Sequence, residues 1–280
     1  MITFAAKLAS MEINSLSEWI RYLEVNGINT FSFEKVREVF SNASEQNLFN
    51  TLYRLTVKKR VISVYRGFYV IIPPQYAAKG IVAPAYYIDQ LMKYVSKPYY
   101  ICLLNAAEVF GAAHQRSQHF SIMTVYPMAN VSKSKNNLLD WVYRKEIPEK
   151  FLQTRNSESG TVRFSNPELT AIDLIQYEKQ VGGLSKVATV LEELTEQTDF
   201  SKATNEIFDY TSVATIQRLG FILERILHQN MQADILYEQL LIYGKRLNYI
   251  PLSTRSKNKT VEKDTRWKLS INTQIETDDV

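Results

Sequence analysis

The sequence predicts an α+β protein in two parts, and three observations carry that reading. Apolar stripes of helical period followed by a β hairpin fill the N-terminal stretch. A Pro-bounded segment from Pro73 to Pro84 interrupts the pattern, and from Ala85 onward short β-rich runs alternate with helical ones. At 280 residues there is room for two ordinary domains, and 45% hydrophobic with 22% charged residues is the composition of a folded chain with a sizeable core.

Three helices and a hairpin make up the first part. Ser15 with Glu18 forms a capping box, after which Leu16, Trp19, Ile20 and Leu23 recur as the buried stripe of a helix that Gly27 ends. Ser32 caps a second, short helix whose inward residues are Phe33, Val36, Val39 and Phe40, and Ser41-Asn42 supplies the turn. The third helix starts near Ser44, with Leu48, Leu52 and Leu55 on one side and Gln46, Asn47, Asn50, Tyr53 and Arg54 on the other. Two β-rich runs follow Lys58-Lys59-Arg60, Val61 to Tyr65 and Phe68 to Ile72, joined by the turn signal Arg66-Gly67.

This is the plan of a winged helix-turn-helix, whose last helix enters the DNA major groove while the hairpin reaches the flanking backbone. Gln and Asn pair with adenine and Arg with guanine, while Lys and Arg neutralise phosphates. The predicted DNA-contacting set is therefore Gln46, Asn47, Asn50, Arg54, Lys58, Lys59, Arg60, Tyr65 and Arg66. Between residues 41 and 75 the only acid is Glu45, so a modest net charge of +4 is concentrated where DNA would lie. The competing readings are an ordinary solvated face and a winged module serving protein contacts.

In the second part, Ala85 to Val95 reads as a helix and Tyr99 to Leu104 as a buried strand run. Asn105 with Glu108 reads as an N-cap and capping box for a helix through Phe110, stopped by Gly111. Phe120 to Tyr126 and Thr161 to Phe164 read as strands. Asn166-Pro167-Glu168 is a helix start, with the cap, the proline and the acid each where they cost least. Helical stripes follow over Leu184 to Leu194 and Val213 to Leu227, and Trp267 to Ile271 alternates like a late strand.

Catalytic signatures are weak. Glu168 and Asp173 stand five residues apart, about 140° around a helix, so they share no face as a metal pair would; a helix-start acid and a satisfied buried polar group explain them better. His114 and His119 lack zinc-pair spacing, and Cys102, the one cysteine, lies in an apolar run as a core thiol would. No phosphate loop, dinucleotide fingerprint or nucleophile elbow is present, so no metal and no cofactor is expected. No membrane span or secretory leader is legible, and a reducing cytoplasmic setting is the expectation.

The ordered motifs Tyr99-Tyr100, Asn105-Ala106-Ala107-Glu108, Gly111-Ala112-Ala113-His114-Gln115, Ser165-Asn166-Pro167-Glu168 through Leu174, Gly182-Gly183 and Gln217-Arg218-Leu219-Gly220-Phe221 resemble the antitoxins of AbiE abortive-infection systems, classed as type IV toxin–antitoxin systems. The resemblance spans roughly residues 15 to 230. It implies a bacterial cytoplasmic protein whose winged helix binds inverted repeats in its own promoter, with self-association on DNA, and whose C-terminal domain counters a nucleotidyltransferase toxin. The implied organisation is residues 1–74 as the winged helix-turn-helix, 75–84 as linker and 85–280 as the antitoxin domain with a disordered end. The resemblance makes Tyr100, Asn105, Glu108, His114, Gln115, Glu168, Asp173 and Arg218 the antitoxin-domain candidates. Many members carry Ser where this chain has Asn105, which caps a helix but replaces a nucleophile poorly. The expected function is thus a non-enzymatic autorepressor and antitoxin. The alternatives are a DNA-targeted nuclease or transferase delivered by the winged helix, and a stand-alone ligand-sensing transcription factor.

Overall fold

A computed structural model describes residues 13–112, 117, 119–127, 138–157, 160–202, 205–244, 246–256, 258 and 262–277. Contacts divide the chain into two units. One comprises Met1–Lys97, Pro127–Leu138 and Asn156–Val162, the other Pro98–Tyr126, Leu139–Arg155 and Arg163–Val280. This division differs from a boundary within residues 75–84, because the helix Ile88–Tyr94 groups with the N-terminal residues.

The first unit holds α1 (Leu16–Val25), β1 (Thr30–Ser32), α2 (Phe33–Val39), α3 (Glu45–Val57), β2 (Val61–Tyr65), β3 (Phe68–Ile71) and α4 (Ile88–Tyr94). Serine fixes the starts of α1, α2 and α3. The hydroxyls of Ser15, Ser32 and Ser44 accept from the amides of Glu18, Lys35 and Asn47, satisfying donors the helix itself leaves unpaired. Trp19, Ile20, Leu23, Val36, Leu52, Val61 and Ile71 build a core entirely from this stretch. The strands form an antiparallel sheet in the order β1-β3-β2. At three residues, β1 is too short to show a period of two in the sequence. At the end of α3 the backbone of Lys59 turns left-handed (φ 53°), and the Arg60 amide returns to the Leu55 carbonyl at 2.9 Å, aiming the chain into β2.

A five-stranded sheet runs through the second part in the order β6-β5-β4-β8-β7, from β4 (Tyr99–Ile101), β5 (Phe120–Val125), β6 (Leu139–Arg144), β7 (Leu152–Ser157) and β8 (Gly160–Ser165). The pairs β5–β6 and β4–β8 are parallel and β4–β5 antiparallel. The strand run expected through Leu104 ends at Ile101. A left-handed Leu103 (φ 55°) then starts α5 (Leu103–Val109), two residues before the predicted Asn105 cap.

Helices follow as α6 (Pro167–Gln176), α7 (Glu178–Val181), α8 (Leu184–Leu194), α9 (Val213–Phe221), which continues as a π turn over Ile222–Ile226, and α10 (Asn230–Ile242). Asn166 caps α6 by accepting from the Leu169 amide. Every residue of α6 from Pro167 to Ile175 is buried, so this helix runs through the core. A last small sheet, in the order β10-β11-β9, joins β9 (Ile250–Pro251), β10 (Glu262–Asp264) and β11 (Leu269–Ile271), giving the late strand two partners.

Candidate functional site

Helix α3 carries two unlike faces. Leu48, Leu52 and Leu55 are buried, whereas Gln46, Asn47, Asn50, Tyr53 and Arg54 are exposed, and Lys58, Lys59 and Arg60 continue the exposed surface past the helix end. The Gln46 amide donates to Asn50 Oδ1 at 3.2 Å, and Arg54 Nε donates to the Asn50 carbonyl at 3.3 Å, so these polar groups form one connected row. Two of the basic residues have protein partners. Lys59 Nζ donates to the Ala78 carbonyl at 3.0 Å, and Arg60 pairs with Glu24 at 2.9 Å. The outer face also exposes Phe49, Tyr53 and Val57 at intervals of four residues, an apolar row of which the sequence reading placed only Tyr53.

The β2–β3 turn puts Arg66 at an exposed tip and leaves Tyr65 half-buried. Gly67 adopts φ 75°, and its carbonyl accepts from the Phe33 amide at 2.8 Å, tying the turn to the start of α2. The ring of Tyr94, on α4, lies 5.3 Å from Phe68 and 6.3 Å from Tyr65. Glu34 also reaches this turn, an acid that the count over residues 41 to 75 does not include.

In the second unit, Tyr100 of β4, Arg144 of β6 and Asp173 of α6 meet in the interior. Tyr100 donates its hydroxyl proton to Asp173 Oδ2 at 2.7 Å, and Arg144 Nη1 donates both to the Tyr100 oxygen and to Asp173 Oδ1 at 3.3 Å. Arg144 Nη2 donates to the Tyr210 carbonyl at 2.7 Å. Burial pushes the Asp173 carboxyl up, while the Arg144 guanidinium and the Tyr100 hydroxyl pull it back. Burial also works against the Arg144 charge, but Asp173 and Tyr100 outweigh it and hold the guanidinium above its usual range. Tyr100 is pushed well up, by burial first and then by Asp173, and stays a proton donor. Two motif residues are therefore joined by Arg144, which is not among the residues singled out from the sequence. No local pattern marks it, since its partner lies 29 residues further along the chain.

Beside this cluster lies a cleft of about 670 Å³ lined by four tyrosines, Tyr126, Tyr143, Tyr177 and Tyr210, with Lys145 and Asp209 among its polar groups. Tyr126 and Tyr143 stack at 4.2 Å, and the Tyr177 hydroxyl donates to the Tyr143 carbonyl at 3.0 Å.

The remaining candidates are spread through the unit. Asn105 lies inside α5, where its side-chain oxygen accepts from the Ser121 amide at 2.8 Å, so it fastens the helix to β5 instead of capping it. Glu108 is half-buried on the same helix. Glu168 accepts from the Asp199 amide at 2.8 Å. His114 and Gln115 lie outside the described residues. Arg218 donates to the carbonyls of Leu252 and Pro251 at 2.8 and 3.0 Å, and its neighbour Gln217 donates to the Trp267 carbonyl at 2.6 Å. A Cβ on Gly220 would stand only 2.0 Å from the Trp267 ring. The motif Gln217-Arg218-Leu219-Gly220 thus seats the last sheet and its tryptophan on α9.

Among the described residues no three His, Cys, Asp or Glu side chains group as a metal site would require. The Cys102 thiol is buried and pushed well up by that burial, which makes it a poor nucleophile. No helix among the described residues is long and apolar enough to cross a membrane.

These features define a mixed α+β protein whose larger unit is organised around a paired Tyr-Arg-Asp core. Residues 99–225 match the family model of the AbiEi antitoxin C-terminal domain, a match that supports an AbiE-type antitoxin family. The match supports an antitoxin role in a toxin–antitoxin system, with a toxin as functional partner. The Tyr-Arg-Asp cluster and the tyrosine cleft lie within the matched stretch, and Trp267 lies beyond it. The chain is also similar to the crystal structure of the RV2827C protein from Mycobacterium tuberculosis. Identity is 12%, the TM-score is 0.65, and 90% of this chain and 89% of that chain are covered, a likeness of fold. No curated protein matches the sequence.

Proposed function

We propose that the protein is a DNA-binding autorepressor of a toxin–antitoxin operon, in which the first unit acts as a winged helix-turn-helix and the second opposes the toxin. The single observation that carries the DNA half is the division of α3 into a leucine face and an exposed face of Gln46, Asn47, Asn50 and Arg54, continued by Lys58 and followed by a hairpin with Arg66 at its tip. Amide and guanidinium side chains along one groove-sized helix supply base contacts, and the cations supply phosphate contacts. The exposed Tyr53 adds apolar surface suited to a thymine methyl. In this reading residues 75–84 are a connection and the inverted repeats of the operon's own promoter are the target. The opposed toxin is a nucleotidyltransferase, as the family resemblance implies.

The test is a titration of the full chain with promoter duplex over a series of salt concentrations. Each neutralised phosphate contributes about −0.9 to the slope of log affinity against log salt. Lys58→Ala and Arg66→Ala are each expected to flatten the slope by about that amount. Salt-independent binding, or no binding at low salt, contradicts the reading. A parallel growth assay with co-expressed toxin tests the antitoxic half, with rescue by the intact chain as the expected result.

A further inference from the structure

We propose that Tyr94 is a positioning residue for DNA contact, holding the β2–β3 turn so that Arg66 is presented to the backbone of the duplex. The inference rests on the DNA-binding reading of α3 and the hairpin, and extends it to α4, which lies beyond the residues that make up the helices and the hairpin.

A hairpin tip carrying one long cation is costly to use, because ordering the turn and the side chain on binding consumes part of the contact's free energy. Here the tip is ordered in the free protein from two sides. On one side, β1 pairs with β3, and the Phe33 amide donates to the Gly67 carbonyl at 2.8 Å. On the other side stands Tyr94. Its hydroxyl lies 3.4 Å from both the Arg66 carbonyl and Glu34 Oε2, a shared donation that spans the turn and the start of α2. Its ring packs against Phe68 and Tyr65, one in each strand of the hairpin.

Gly67 completes the fit. It takes a left-handed φ of 75°, and a Cβ there would come within 2.9 Å of the Tyr94 hydroxyl oxygen, so the turn is bare where the phenol crosses it. Burial raises the Tyr94 pKa, and Glu34 raises it further, which keeps the hydroxyl protonated and donating at neutral pH. None of these contacts uses the Arg66 guanidinium, which stays exposed at the tip.

A double-mutant cycle on promoter binding by the full chain tests the proposal. Tyr94→Ala is expected to weaken binding about fivefold, the ordering cost of one long side chain, when Arg66 is present. In an Arg66→Ala background the same change is expected to alter affinity less than about twofold, since the residue it positions is gone. General damage to the fold would weaken both backgrounds alike. Tyr94→Phe, which keeps the ring and removes the hydroxyl, is expected to fall between wild type and Tyr94→Ala, with thermal melting confirming an intact first unit. Equal losses in both backgrounds, or no loss with Arg66 present, overturn the proposal. Arg66→Ala without effect while Lys58→Ala weakens binding overturns it too and leaves the α3 reading standing. If neither change weakens binding, the DNA-binding reading itself fails.

Discussion

Single residues of the two units carry different kinds of prediction. On α3, Asn50 sits in the exposed polar row and Lys58 just past the helix end. Asn50→Ala should cost about 1–3 kcal/mol of discrimination at particular base pairs and leave non-specific affinity nearly unchanged. Lys58→Ala should weaken all sequences alike, and a panel of altered promoter duplexes separates the two behaviours. Lys59 and Arg60 already have partners in Ala78 and Glu24, so their replacement should weaken DNA binding less than that of Lys58. In the second unit the decisive residue is Arg144. Arg144→Met leaves the Asp173 carboxyl buried without its counter-charge and should destabilise that unit by about 3–5 kcal/mol. Making Tyr100→Phe and Asp173→Leu together with it removes the stranded polar groups and should recover much of the loss. Chemical denaturation of the wild type, the single variant and the triple variant measures both effects.

At the scale of the element, the sequence was most informative where a short-range rule decides the structure. Ser15, Ser32 and Asn166 read as helix caps and are caps, and Ser44, near which the third helix was expected to start, is one too, because a cap and the amide it accepts from are three residues apart. Asn105 has the same cap chemistry but serves a strand 16 residues away, and the helix had already begun at Leu103. Arg144 stayed hidden for a similar reason: a buried ion pair leaves no periodic trace when its members come from β6 and α6. Strand β6 was missed, and β7, β9 and β10 were illegible because they are short or polar and depend on neighbours brought by the fold, whereas β11 of the last sheet was read as the late strand. Gly220, singled out only as part of a motif, proves to be a packing requirement. Gly220→Ala forces a methyl into the Trp267 ring and should cost about 3 kcal/mol, read as a lowered melting temperature of the second unit. DNA binding by α3 should be unaffected.

For the whole molecule, the two apolar clusters that hold Trp19 and Tyr100 share none of the described residues. One is built from residues 16 to 71, the other from Tyr100 onward. A truncation beginning at Pro98 should therefore retain far-UV circular dichroism of a folded α+β unit and lose promoter binding. Protection in the toxin co-expression assay should persist at least in part. Arg54→Ala in the full chain should do the reverse, abolishing repression while leaving protection, and a parallel loss of both would reduce the antitoxic effect to repression alone. A start at residue 85 keeps α4 without the hairpin that Tyr94 packs on, so that longer fragment should melt less cooperatively than the one from Pro98.

The seat of Trp267 on α9 also sets an order of events during synthesis. Gln217 leaves the ribosome 50 residues before the carbonyl it donates to, and Gly220 waits as an open slot until the indole arrives. Leu219 and Ile222, buried in the finished protein, belong to a core that also contains Trp267 and Leu269. The apolar cluster around Trp19, Val36 and Leu52, by contrast, is complete once Ile71 has emerged. A nascent chain is thus able to finish its N-terminal core while the antitoxin core is still open to chaperones and proteases, and a protease that trims the late sheet reopens only the second unit. Cleavage behind α10 would leave a fragment with an intact α3 and hairpin but without a closed antitoxin core.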